Sequence, residues 1–398
     1  MDLPKGFRDI PPEEAEKQEY IITSLREVFK SYGFLPLDTP AVEMAEVLSR
    51  KAGEEIAGQM FKVEDEYALR YDLTVPLARY VSSTSIPLPF KRYQIDKAWR
   101  KEEPQKNRYR EFIQADADIV GSSSIRCEIE LLNMASRALE KLGLEGEIAI
   151  NSRKLVNSLL LDFGEEEKAE AMRILDKVDK VGKDAVGSML SEKFGEKGAK
   201  LFSSLSGDSS LENFAKFDEE AAKELKEILS FCPPIVKFDP FLVRGLAYYT
   251  GPVFEIRAQG VTIGGGGRYD GLVSLFGPSQ PAVGISFGIS RITNLIKEVP
   301  KKKKVYVVVF EGLYKEAFEI AERVRAKCNC IVDIDLMERK IGKQMEYADA
   351  MGFDIILIVG KDELSRGVVR VKSMKDGKER EVKNSEVEDD VRNTCDLH

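Results

Sequence analysis

The 398 residues contain one histidine, His398, and one tryptophan, Trp99. Histidine this scarce nearly excludes a histidine-based triad, a histidine general base or a histidine-ligated metal. The five cysteines are Cys127, Cys232, Cys328, Cys330 and Cys395. They make no zinc pattern, Cys328-x-Cys330 is too tight for a CxxC site, and they read as reduced thiols of a cytoplasmic protein. No run is long and apolar enough to cross a bilayer, and the opening MDLPKGFRDI has no signal-peptide core, so no membrane partner is expected. A basic excess is missing too. Lys+Arg 60 against Asp+Glu 68 gives a net charge of −8, so any binding of RNA needs local basic patches.

Against these absences stand length and an ordinary apolar share of 43%, enough for two or three cores. The central stretch is Lys97–Gly121, KAWRKEEPQKNRYREFIQADADIVG. It predicts a strand over Ala98–Glu102, a polar loop over Glu103–Asn107 and a returning strand over Arg108–Gly121. Alternation puts Arg108, Arg110, Phe112, Gln114, Asp116 and Asp118 on one face. Tyr109, Ile113, Ala115, Ala117 and Ile119 take the other, and Arg100 and Glu102 fall together across the hairpin. Arg, Gln and Asp beside one aromatic ring suit a ligand with phosphates, a flat base and a charged amine. An ordinary solvated face would read the same way.

Along the chain, Pro12–Tyr32 has helical periodicity, Gly33 stops it, and Phe34–Pro40 reads as a strand. Tyr67–Ala78 (YALRYDLTVPLA) alternates, so Arg70, Asp72 and Thr74 are expected to share a strand face where carboxylate and hydroxyl hold an ammonium group. A helix is expected over Ser124–Leu142 and a strand over Glu147–Asn151. Gly164–Phe231 is charged and helical, and reads as an insertion. In Phe238–Ile256, Arg244 is a fixed cation on a glycine-flanked turn, able to reach a phosphate, and Tyr248 and Tyr249 are rings with hydroxyls. The run IGGGGRYDGL, Ile263–Leu272, lets backbone approach a ligand closely, but is no Walker loop because no Gly-Lys-Ser/Thr follows. After the basic Lys301–Lys304, a strand-helix-strand-helix-strand rhythm predicts a small α/β domain.

Trp99-Arg100-Lys101-Glu102, a loop, then Arg108 to Phe112 resembles motif 2 of class II aminoacyl-tRNA synthetases, and EPQKNRYREF resembles the wording of the histidyl-tRNA synthetase family. The helix, glycine and strand ending at Pro40 resemble motif 1, which builds the dimer interface in that family. RYDLTVP is similar to its amino-group-binding segment. Leu242–Tyr249 resembles its LVRGLxYY signature, except that Ala247 stands where the family usually has Asp. GGRYDG resembles its second signature, and Gly284–Arg291 resembles motif 3. The last domain resembles the anticodon-binding domain of the histidyl, glycyl, threonyl and prolyl enzymes.

The resemblance implies an α+β fold: an antiparallel class II catalytic sheet flanked by helices, a helical insertion and a C-terminal α/β domain. The expected boundaries are 1–163 and 232–300 for the catalytic core, 164–231 for the insertion and 305–398 for the anticodon-binding domain. It implies activation of histidine by ATP with Mg²⁺, transfer to tRNA(His), a homodimer, and no metal ligated by the protein. Arg100, Arg244 and Gln114 are the implied catalytic residues, the two arginines holding the α-phosphate and carboxylate. Asp72, Thr74, Gln114, Asp118, Tyr248 and Tyr249 are implied to hold histidine, with Arg100 and Arg244 beside them. Glu102, Arg108, Tyr109, Phe112 and Arg291, with Arg100, are implied to hold ATP. A rival implication is a synthetase-like regulatory subunit of histidine biosynthesis. Such paralogues usually lose the arginine matching Arg244 and the C-terminal domain, and this chain has both.

Overall fold

Proline opens the first helix. Pro12 needs no hydrogen-bond partner at the start of Pro12–Ser31, Glu13 and Glu14 suit the positive end of the helix dipole, and Gly33 at φ +76° reverses the chain. The computed structural model describes residues 2–50, 58–103, 109–244 and 249–395. It divides into two units, Met1–Val299 and Pro300–His398.

The first unit is built on ten strands: β1 Leu35–Pro36, β2 Val42–Met44, β3 Tyr67–Leu69, β4 Phe90–Trp99, β5 Glu111–Val120, β6 Gly146–Ser152, β7 Val236–Phe238, β8 Pro252–Ala258, β9 Val261–Arg268 and β10 Ala282–Gly288. Eight of them form one sheet in the order β1-β4-β5-β10-β9-β8-β6-β7, and β2 pairs with β3 apart from it. The sheet is antiparallel through its middle, but β1 joins β4 and β7 joins β6 in parallel, so the expected antiparallel sheet has parallel edges.

The alternation expected for β5 is present. Ala115, Ala117 and Ile119 are buried in the main core with Leu25 and Phe29 of the first helix and Leu131 and Leu132 of Arg126–Lys141. The opposite face carries Phe112, Gln114, Asp116 and Asp118. Helices fill the stretch from Glu165 to Ser230, and Leu190, Leu205 and Leu225 extend the same core.

Three local expectations are corrected. The first hairpin strand runs Phe90–Trp99, not Ala98–Glu102, because ten consecutive pairs join β4 to β5, from Phe90↔Val120 to Trp99↔Glu111. The strand expected over Phe34–Pro40 is two residues long. Tyr67–Ala78 is not one strand: β3 ends at Leu69 and a helix spans Thr74–Ser83. Asp72 causes the switch, since its Oδ1 accepts from the backbone N–H groups of Thr74 (3.2 Å) and Val75 (3.0 Å), satisfying donors at the helix start. Arg70 turns inward to pair with Asp96 at 2.6 Å, so Arg70, Asp72 and Thr74 do not share a strand face.

In the second unit, β11 Lys304–Val309, β12 Ile331–Ile334 and β13 Ile355–Val359 are parallel, separated by helices Tyr314–Lys327 and Ile341–Ala350. Two antiparallel strands follow, β14 Val368–Ser373 beside β13 and β15 Glu379–Lys383 at the edge. Val305, Val307, Ile320, Val324, Leu357 and Val371 fill this core.

Candidate active site

Strand pairing lays the polar residues out in rows across the sheet. Residues directly opposite in an antiparallel pair point to the same face. One row is Arg92–Asp118–Gly284–Gly267, and the next is Gln94–Asp116–Ser286–Gly265–Glu255. Gln114, opposite Gly288, begins a third. Acid, amide and hydroxyl groups therefore gather on β5 and β10, with glycines beside them.

Those glycines make room for side chains of the chain itself. A Cβ on Gly265 would stand 1.6 Å from Arg244 Nη1, one on Gly267 would stand 2.8 Å from the Tyr249 ring, and one on Gly284 would stand 1.9 Å from Asp118 Oδ1. Arg244 and Tyr249 are thereby placed over the same face as Gln114, Asp116 and Asp118. Arg244 Nη1 donates to the Phe254 carbonyl at 3.1 Å, which fixes one side of its guanidinium.

Asp118 is held from two sides. Arg92 Nη2 lies 2.8 Å from its carboxylate, with the two side chains 0% and 4% exposed, and the Tyr269 hydroxyl donates to Oδ1. Arg92 Nη2 also donates to the Leu73 carbonyl at 3.0 Å, and Arg100 Nε donates to the Tyr71 carbonyl at 3.0 Å. Two arginines of the hairpin thus tether the segment that carries Asp72 and Thr74 against the polar face. Arg100 stacks 5.1 Å from the centroid of Phe112, leaving a cation and a ring together at the end of β5. Gln114 Nε2 donates to Ser286 Oγ at 3.0 Å. Burial pushes the Asp116 carboxyl up to about 7, with Asp118 adding to the rise and Arg92 opposing it.

The structure brings Arg100, Phe112, Gln114, Asp118, Arg244 and Tyr249 to one face and sets Asp72 and Thr74 at its edge. Arg291 reaches back to donate to the Thr262 carbonyl at 2.8 Å, beside Gly288, which is opposite Gln114. The Tyr109 ring is covered by the Arg8 guanidinium at 4.4 Å. Glu102 accepts from Arg110 Nε through its backbone carbonyl at 3.0 Å. Arg108 and Tyr248, and with them Ala247, lie outside the described residues. Sequence reasoning missed Arg92, Tyr269 and Ser286 as members of the cluster. A positive charge inside the strand-like FKRYQID was the available signal for Arg92.

A family model described as histidyl-tRNA synthetase matches residues 6–292. The chain belongs to the histidyl-tRNA synthetase family. A second model, an anticodon binding domain, matches 304–394. A histidine–tRNA ligase of Aeropyrum pernix is 39% identical, with 94% of each chain covered. Another from Nanoarchaeum equitans is also 39% identical, covering 92% of this chain and 93% of the relative. Among solved structures, the histidyl-tRNA synthetase from Nostoc sp. PCC 7120 superposes with a TM-score of 0.86 at 27% identity over 99% of both chains. Family membership makes the chain a class II aminoacyl-tRNA synthetase, with the expected catalytic α+β architecture and α/β anticodon-binding domain.

Proposed function

We propose that this synthetase joins histidine to tRNA(His) in two steps on the polar face of its central sheet. In the first, a histidine carboxylate oxygen attacks the α-phosphorus of ATP; the bond to the bridging oxygen breaks and pyrophosphate leaves. In the second, a hydroxyl of the 3′-terminal ribose attacks the histidyl carbonyl and AMP leaves. Neither step needs a protein nucleophile. Both need placed positive charge and in-line geometry, which suits a face holding Arg100 and Arg244.

Arg100 and Arg244 bear on the α-phosphate and the histidine carboxylate. Asp72, Thr74 and Gln114 receive the α-ammonium. Asp118 accepts the ring N–H, its carboxylate held in place by Arg92 and Tyr269, and Tyr249, with Tyr248, serves the other ring nitrogen. Phe112 and Arg291 sandwich the adenine, with Glu102, Arg108 and Tyr109 at its rim. Magnesium would enter as part of the ATP complex, neutralising phosphate charge. The enzyme works as a cytoplasmic homodimer.

The observation that carries this reading is the convergence of Arg244, Gln114, Asp118 and Tyr249 on one face through glycine slots in β9 and β10. ATP–pyrophosphate exchange tests it. Exchange is expected with histidine and with no other amino acid; exchange independent of histidine would refute the assignment of the pocket.

A further inference from the structure

The β4–β5 hairpin reaches beyond the sheet that holds it. β1 pairs with β4 only at Arg92 and Tyr93, and β10 pairs with β5 from Val120 no further than Gln114. Past those points, among the described residues, no third strand of the sheet pairs with the two, and a lone two-stranded ribbon is marginal in water. Arg100, Glu102 and Phe112, three of the residues assigned to ATP, stand at this end. The first arm is braced by two backbone bonds: Trp99 N–H donates to the Arg70 carbonyl at 3.0 Å and Lys101 N–H to the Gln59 carbonyl at 2.8 Å.

The second arm is braced by the segment ahead of the first helix. Phe7 N–H donates to the Pro4 carbonyl at 3.0 Å, closing a four-residue turn. Gly6, its third residue, has φ +86°, which glycine and asparagine accept and β-branched residues do not. The Gly6 carbonyl accepts from the Arg110 backbone N–H at 2.9 Å. Arg110 Nη1 donates to the Lys5 carbonyl at 3.3 Å and Nε to the Glu102 carbonyl at 3.0 Å. The Arg110 carbonyl accepts from the Arg100 N–H at 2.9 Å, which carries the ladder one pair beyond Trp99↔Glu111. Arg8 anchors the turn from its other end. Its Nη1 donates to Glu14 Oε2, in the first turn of the first helix, at 2.7 Å, while its guanidinium covers the Tyr109 ring. The Lys5–Glu103 pair at 2.8 Å is exposed on both sides and adds little.

We propose that the Pro4–Phe7 turn is a positioning element for ATP: Gly6 holds Arg110, and Arg110 holds the backbone of Arg100 and Glu102 where the nucleotide meets them. The proposal rests on the ATP reading given above. A guanidinium helps a reacting phosphate only from a fixed place, and a loose hairpin end would let Arg100 wander. The histidine side of the face does not depend on the turn, because Gln114 and Asp118 lie where β5 is paired on both sides.

ATP–pyrophosphate exchange by the full chain, with KM measured for ATP and for histidine and a melting temperature for each variant, tests the brace. Gly6→Val cannot hold the turn, so the ATP KM should rise about tenfold while the histidine KM moves less than about twofold. Gly6→Asn accepts the same φ and should stay near the wild-type ATP KM. Arg110→Ala should repeat Gly6→Val, and the double variant should be no worse than the worse single one, because the two act as a unit. If Arg100→Ala damages exchange while Gly6→Val and Arg110→Ala keep the wild-type ATP KM, the turn is only a surface tie and the ATP site stands without it. If Arg100→Ala leaves exchange intact, the ATP site is misassigned and the brace falls with it. Equal rises in both KM values, or a Gly6→Asn enzyme as poor as Gly6→Val, would also overturn the proposal. Should Gly6→Val or Arg110→Ala fail to fold, the other decides, and a wild-type ATP KM there overturns it.

Discussion

Gly265 lies directly under the Arg244 guanidinium: a Cβ at position 265 would come 1.6 Å from Nη1. No real side chain tolerates that separation, so Gly265→Ala must displace Arg244. The Phe254 carbonyl, which Arg244 now holds, is 2.6 Å from the same Cβ and is backbone that cannot swing aside. Gly265→Ala and Arg244→Ala should therefore fail alike, each losing on the order of 10²–10³ in the rate of adenylate formation. Pre-steady-state measurement of adenylate checks this; a Gly265→Ala enzyme at wild-type rate would remove Arg244 from the reaction.

Asp118 and Arg92 are both almost wholly buried, and each neutralises the other. Deleting one partner of such a pair typically costs about 3–5 kcal/mol, because the other charge stays buried alone. Asp118→Ala thus mixes a folding defect with any defect in binding. Asp118→Asn keeps the shape but also leaves Arg92 without its counter-charge, so its thermal unfolding, measured beside the kinetics, separates the two. With Asp118→Asn we expect a steep rise in the histidine KM, little change in the ATP KM, and reduced discrimination against ring analogues of histidine. An equal loss for both substrates would make Asp118 purely structural.

Much of this was legible from alternation alone. Ala115, Ala117 and Ile119 point to the core and Gln114, Asp116 and Asp118 away from it, as period 2 requires. Glycines at 265, 267 and 284 marked a place of close approach, although the approaching groups include Arg244, Tyr249 and Asp118 of the chain itself. Asp72 was misplaced because YALRYDLT alternates up to the residue that starts a helix; Pro76 in the first turn was the overlooked cue. Arg92 and Ser286 were not legible as partners of Asp118 and Gln114. The Gln114–Ser286 contact depends on β5 pairing with β10 across more than 160 intervening positions, which no local pattern encodes, and the Arg92–Asp118 contact on a hairpin strand that starts at Phe90, ahead of the predicted Ala98.

Asp116 gives a pH dependence with a definite sign. Its folded-state pKa is raised to about 7 by burial, so between the ordinary carboxylate range, ~3.9, and about 7 the folded chain binds a proton that the unfolded chain has lost. Stability from this group is therefore present at low pH and falls as pH rises toward 7. Asn cannot lose such a proton. The melting temperature of Asp116→Asn, relative to wild type, should thus improve between pH 5 and pH 8 by calorimetry. A constant difference between the two proteins would contradict the raised pKa.

β1 and β2 bring apolar side chains to the surface, with Leu35 60% and Met44 43% exposed. We propose that a second copy covers this region in a two-fold dimer. Light scattering at micromolar concentration should give twice the 44.7 kDa chain mass, and Leu35→Glu with Met44→Glu should shift the protein toward the monomer. A wild-type monomer would place these residues elsewhere in the function.

Charging of transcribed tRNA(His) with labelled histidine by the full chain, ATP and Mg²⁺ decides whether the polar face is a histidine-activating site. Histidyl-tRNA is expected from the wild type, with near-complete loss in Arg244→Ala and no product with a non-cognate tRNA. A folded wild-type chain that forms neither adenylate nor histidyl-tRNA would contradict it.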